Sequence, residues 1–184
     1  AGPVALLTVA NAWLPTFYQQ HGMSLAKAGA LMGLFSLSGV AALVLASLLT
    51  VRVHRRKPFL ILPGILVGFA GIGTFLLAGS IGVYFAIVAL GFACWFYVPA
   101  LVTIPMELHQ KDPQQVSVVF ATLLMVGGVA GFLAPLTVGA ITDAMGSFLP
   151  GFALFAVLAW SLALAGYMLP ETGIPANEEP RTED

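Results

Sequence analysis

The chain has 184 residues, of which 59% are hydrophobic and 8% charged, with a formal net charge of −1. Soluble domains carry about 25% charged residues, so this chain could not cover a water-facing surface, and an ordinary soluble fold is excluded. Near-neutrality with one short basic cluster also excludes a nucleic-acid partner, since nothing supplies the electrostatic footprint that phosphate requires.

Lys, Arg, Asp and Glu are absent from residues 1–26, 28–51, 58–106, 113–142 and 144–170. Each run is long enough for a spanning helix of about 20 apolar residues. As one helix, the run from Pro58 to Met106 would be about 73 Å long, more than twice the hydrocarbon core, so it must fold back. Gly79, Ser80 and Gly82 mark the turn. Six spans are therefore predicted, at 2–20, 25–51, 59–78, 81–106, 115–142 and 148–169, forming one transmembrane bundle over residues 1–169. The fold class is all-α, a polytopic membrane protein. Because the first span begins at once and without a basic leader, the chain reads as a piece of something longer rather than as a secreted protein.

Span one places Thr8, Asn11, Pro15 and Tyr18 on one face. Asn11 lies at mid-span, where an amide needs a partner or water; it is either a functional group or an interhelical tie. Span two carries Gly29, Gly33, Ser36, Val40 and Ser47 on a narrow stripe, and span three carries Gly64, Gly68 and Gly71. Small residues at this spacing let helices approach, for static packing or for a sliding interface. Span four sets Tyr84, Gly91 and Trp95 on one face. Trp95 sits at mid-span rather than in the interfacial belt, and its N–H must meet another helix or a wet cavity; the cavity is the favoured reading. Cys94 beside it is a small packing residue, as one cysteine makes no disulfide framework. Span five repeats the small-residue pattern at Ser117, Ala121, Gly128, Pro135, Gly139 and Thr142, with Gly131 as a further packing or gating position. The segment 170–184, acidic and proline-rich, is expected to be a solvated, disordered tail.

Alternating the spans puts Arg52, Arg55, Arg56, Lys57, Lys111 and Arg181 on one side and only Lys27 on the other. The positive-inside rule makes the basic side cytoplasmic. His21, His54 and His109 are scattered at span ends, and no nucleophile, metal or phosphate-loop motif occurs, so no enzyme, metal or cofactor is expected. Glu107 and Asp143 read as solvated or loop-capping carboxylates rather than proton carriers.

The run Ser47-Leu48-Leu49-Thr50-Val51-Arg52-Val53-His54-Arg55-Arg56-Lys57 resembles the loop motif G-x-L-x-D-R-x-G-R-R of the major facilitator superfamily, in its second-half copy. Arg52, Arg55 and Arg56 take its basic positions and Leu49 its Leu. Ser47, Val51 and His54 replace the first Gly, the Asp and the second Gly, so the motif's Asp-based charge relay cannot operate. Gly139 to Ser147 is similar to the family's G-x-x-x-D-x-x-G-S turn, and Pro170-Glu171-Thr172 to the P-E-T after its last helix. Ala12-Trp13-Leu14-Pro15-Thr16, with Pro105 and Glu107, resembles the bacterial cyanate and nitrate transporter branch.

The resemblance implies the C-terminal half of such a transporter, helices seven to twelve, built as two inverted three-helix repeats and partnered by a missing N-terminal six-helix half. It implies secondary transport of a small solute by alternating access, in a lipid bilayer that would be the bacterial inner membrane. The first helix of each repeat would line the substrate cavity, with Thr8, Asn11, Tyr18, Tyr84 and Trp95 as candidates. The second helices would form the gating interface through Gly29, Gly33, Gly128, Gly131, Pro135 and Gly139, and Arg52, Arg55 and Arg56 the cytoplasmic gating loop. Two alternatives are a non-transporting assembly or sensor module, which needs no polar cavity, and a channel subunit, which needs a continuous hydrophilic face.

Overall fold

The computed structural model of the chain describes residues 1–53, 55–108 and 112–169. The readings made at His54, at His109 and Lys111, and on the acidic tail with Arg181 fall outside the described residues. The described chain is helical throughout, in the order α1 (Gly2–Gln20), α2 (Leu25–Arg52), α3 (Pro58–Leu76), α4 (Gly82–Phe96), α5 (Val98–Leu108), α6 (Pro113–Met145), α7 (Leu149–Ala159) and α8 (Ser161–Met168).

Local chemistry accounts for the ends. Proline occupies the first turn of α1, α3, α6 and α7, where its missing N–H costs nothing. The Asp112 carboxylate caps α6, accepting the N–H groups of Gln114 and Gln115 at 3.1 and 3.2 Å. Gly146 ends α6 in the left-handed region at φ 68°, and its N–H donates to the Thr142 carbonyl at 2.8 Å. Gly79, at φ 87°, makes the reversal between α3 and α4, a conformation that side-chain-bearing residues rarely adopt.

Two of the sequence spans turn out to be broken. The fourth comprises α4 and α5, separated at Tyr97. Pro99 is the cause: it brings no N–H for the carbonyl four residues back, at Trp95, and its ring crowds that turn. The sixth comprises α7 and α8, and its break coincides with Trp160, which is pinned sideways to α3 by an indole N–H donated to the Ile65 carbonyl at 3.2 Å. With each broken pair joined, five spans among the described residues are long and apolar enough to cross a membrane. The count of six is corrected to that extent: α1 is as long as α3, but Asn11, Thr16, Gln19 and Gln20 dilute its apolarity.

The packing is pseudo-symmetric. Helix α1 packs on α6 and α7, and α4 packs on α2 and α3, while α3 meets α7 and α8. Exchanging the first triplet (α1, α2, α3) for the second (α4–α5, α6, α7–α8) carries this set of contacts onto itself. Each triplet holds three such helical segments, an odd number, which is what an inverted-repeat plan requires. The centre is apolar, with Phe152 ringed by Phe17, Phe75 and Phe148 at centroid distances of 5.4, 6.0 and 5.8 Å. The glycines of the α3 stripe are seats for neighbouring helices: a Cβ at Gly64 would overlap the Ala163 backbone, one at Gly68 the Trp160 ring, and one at Gly71 would crowd Leu6 of α1 at 3.0 Å and Ala156 at 3.3 Å. These close approaches fit the packing reading of that stripe.

Helices α2 and α6 are different. Only Ala134 and Val138 are buried along the 33 residues of α6, and on α2 the buried positions are Ala28, Leu31, Phe35, Gly39, Ala42 and Ala46. Much of the remaining perimeter of both helices is exposed, and Cβ atoms at Gly29, Gly33 and Gly128 would meet nothing within 4 Å.

Candidate functional site

A cavity of about 380 Å³ opens at mid-span between α1, α2 and α4, lined by Leu7, Asn11, Phe35, Ser36, Gly39, Val40, Leu43 and Trp95. Its size falls in the range of small-molecule sites. Asn11 stands at the middle of α1 and Trp95 at the middle of the span Gly82–Leu108. Both precede a proline by four residues, Pro15 and Pro99, so each backbone carbonyl has lost the helical donor it would otherwise use. The first helices of the two triplets thus carry the same local device at the same depth.

The side chains are polar but uncharged. Asn11 donates through Nδ2 to the Leu7 carbonyl at 2.9 Å, which leaves its Oδ1 as an acceptor toward the cavity. Ser36 donates to the Met32 carbonyl at 3.0 Å. The pyrrole edge of Trp95 presses on Gly39, where a Cβ would overlap the ring. Trp13 and Trp160 donate their indole N–H groups to the carbonyls of Pro135 and Ile65, at 2.9 and 3.2 Å. Trp95 has no such acceptor among the described residues.

Other candidates lie elsewhere. Tyr18 is fully buried, and its hydroxyl donates to the Thr74 carbonyl of α3 at 3.0 Å, so it ties two helices and does not line the cavity. The one-face wheel failed there because Pro15 intervenes and the core claims the last turn of α1. Thr8 donates to the Ala5 carbonyl at 2.9 Å and turns toward Gly131 of α6. Tyr84 lines a separate pocket at the opposite end of the bundle from the basic loop, with His21, Lys27 and Ser80. Only Asn11 and Trp95 of the five cavity candidates are brought together.

The small residues also divide. Cβ atoms at Gly29, Gly33 and Gly128 would meet nothing within 4 Å. Gly131 is covered by Thr8 and Val4, and Gly139 by Trp13, which also holds the carbonyl of Pro135. At the basic end, Arg52 and Arg55 are exposed, while Arg56 binds Glu107 through Nη2 and Nε at 2.7 and 3.0 Å and reaches the Thr50 and Val53 carbonyls through Nη1 at 2.6 and 3.1 Å. Glu107 is therefore an ion-pair partner, a correction to its reading as a solvated or capping carboxylate.

A family model described as Major Facilitator Superfamily matches residues 2–135. The chain belongs to the Major Facilitator Superfamily. The match takes in α1 to α5 and most of α6, and so includes every residue lining the cavity and both members of the Arg56–Glu107 pair. No curated protein matches the chain. Members of the superfamily are transporters rather than enzymes.

In this major facilitator chain three contributors escaped the sequence reading. Gly39 seats Trp95, yet it falls on the buried side of α2, away from the stripe that drew attention. Trp13 clasps α6, and only its spacing from Pro15 hinted at a special position. Arg56 and Glu107 were both noticed, but their pairing across 51 positions has no local signal; the available clue was that opposite charges sat in neighbouring loops on one side.

Proposed function

We propose that this major facilitator chain works as the C-terminal six-helix half of a secondary transporter, moving a small solute by alternating access through the Asn11–Trp95 cavity. The observation that carries the reading is the cavity itself: it lies at mid-span, between polar groups on the two helices that each triplet interrupts with proline, as transporter sites do. A second bundle is supported by the uncovered faces of α2 and α6, where Gly29, Gly33 and Gly128 meet open space, and by the loop's likeness to the second-half motif. The likeness to the cyanate and nitrate branch adds little, because Trp13 holds α6 instead of facing the cavity, and no cation lines it.

The test is uptake by the intact transporter in cells, corrected for its abundance in the membrane. Asn11→Ala and Trp95→Ala should each reduce uptake by roughly 5- to 100-fold, the consequence of losing a polar contact worth about 1–3 kcal/mol. Tyr18→Phe should instead act on stability. Normal uptake by both cavity variants would sink the assignment.

The bilayer orientation belongs to the same proposal. The basic residues Arg52, Arg55, Arg56 and Lys57 lie at one end, against Lys27 at the other, and this asymmetry supports a cytoplasmic 52–57 loop in a bacterial inner membrane. Topology reporters fused at Arg55 and at Lys27 should give opposite signals; identical signals would overturn the orientation.

A further inference from the structure

We infer that the mid-span cavity takes an uncharged, planar solute whose edge carries a hydrogen-bond acceptor beside an N–H donor, as in an amide, lactam or nucleobase. The inference rests on the transport reading and names the chemical class that the site would hold.

Three features of the cavity lead there. The donor is the indole N–H of Trp95, a lining residue whose N–H has no acceptor among the described residues, whereas both other tryptophans are engaged across helices. An indole N–H at mid-span, away from bulk water, wants an acceptor, and a solute carbonyl supplies one. The acceptor is Asn11 Oδ1, left over because the Leu7 carbonyl holds the amide nitrogen. The Asn11 carbonyl, which Pro15 deprives of its helical donor, adds an acceptor at the same depth and favours a solute bearing N–H groups.

Shape and charge narrow the class. The pyrrole edge of Trp95 sits so close to α2 that only glycine fits at position 39, and Phe35, Val40 and Leu43 line the rest with apolar surface, which suits a ring. No Lys, Arg, Asp or Glu lines the cavity. The Arg56–Glu107 pair lies at the basic end, outside the cavity lining. An ionic solute would lose its hydration here without gaining a counter-charge from this chain.

Benzamide, benzoate and benzamidine have one shape and carry zero, negative and positive charge, so they separate the alternatives. Binding of each radiolabelled compound to the intact protein, purified in detergent, should favour benzamide by about tenfold or more over both ions. N,N-dimethylbenzamide, which lacks the donor, should bind as poorly as the ions. Trp95→Phe keeps the ring and removes the N–H, and should weaken benzamide about fivefold or more with the protein still folded. Asn11→Asp should shift the preference to benzamidine. Equal or better binding of either ion, no binding of any of the compounds, or benzamide binding untouched by Trp95→Phe would overturn the inference. Flux of bound benzamide into vesicles is scored separately. Selective binding without flux would count against transport and leave the solute class standing; flux of the ions in preference would do the reverse.

Discussion

Gly68→Val is expected to detach span six from the bundle. The glycine at 68 faces Trp160 so closely that any side chain would have to displace the indole, whose N–H holds the Ile65 carbonyl at 3.2 Å and whose ring packs edge-on against Phe69 at 5.3 Å. The indole cannot retreat easily, because one turn away Gly64 brings the α3 backbone against that of Ala163. Overpacking a tight interface costs about 1–3 kcal/mol. The lost indole bond adds about 1 kcal/mol, so the total is a large share of a stability of only about 5–15 kcal/mol. In detergent the variant should show a sharply lower melting temperature and a smaller monodisperse fraction. Gly29→Val is the control: its Cβ would meet nothing within 4 Å, so its stability should stay within about 0.5 kcal/mol of the parent's. Equal melting of the Gly68 variant and the parent would refute the seat.

That contrast shows what was legible in the sequence. The charge-free runs and the break at Gly79 to Gly82 reveal the helical membrane class, because hydrocarbon tolerates only satisfied backbone, and twenty apolar residues leave few alternatives. The small-residue stripes of α2, α3 and α6 look alike on a wheel, yet α3 is clamped by span six, whereas Gly29, Gly33 and Gly128 face open space. Which stripe meets which neighbour is a tertiary fact that spacing alone does not carry. Asn11 and Trp95 were legible because a polar group at mid-span is costly and therefore conspicuous. Tyr18 was not, because its hydroxyl found a partner in the Thr74 carbonyl, on a helix 56 positions away. The breaks at Tyr97 and Trp160 differ in the same way: Pro99 announces the first, and nothing local announces the second.

Arg56→Ala should destabilise the basic end more than Glu107→Ala does, and removing both groups should be less damaging than removing Arg56 alone. Arg56 is 12% exposed and Glu107 21%. The guanidinium serves at least three acceptors at once, among them Glu107 Oε1 and the carbonyls of Thr50 and Val53, so it joins the C-terminal end of α2 to the end of α5. The other carboxylate oxygen of Glu107 is buried without a partner among the described residues. Taking Arg56 away therefore strands a carboxylate that is already half unsatisfied. Breaking a fully buried pair costs about 3–5 kcal/mol, and the residual exposure here reduces the expected loss to about 2 kcal/mol. Taking Glu107 away leaves the guanidinium on its two backbone carbonyls, with an expected loss of about 1 kcal/mol or less. The double variant removes the stranded anion and should recover part of the Arg56→Ala loss. Arg56→Lys should rescue little, because one ammonium cannot span three acceptors set around a planar fork. Thermal unfolding of the four proteins in detergent, each at low and high salt, measures the cycle. A Glu107→Ala protein less stable than Arg56→Ala, or a double variant no better than Arg56→Ala, would mean that the carboxylate, not the arginine, organises this end of the bundle.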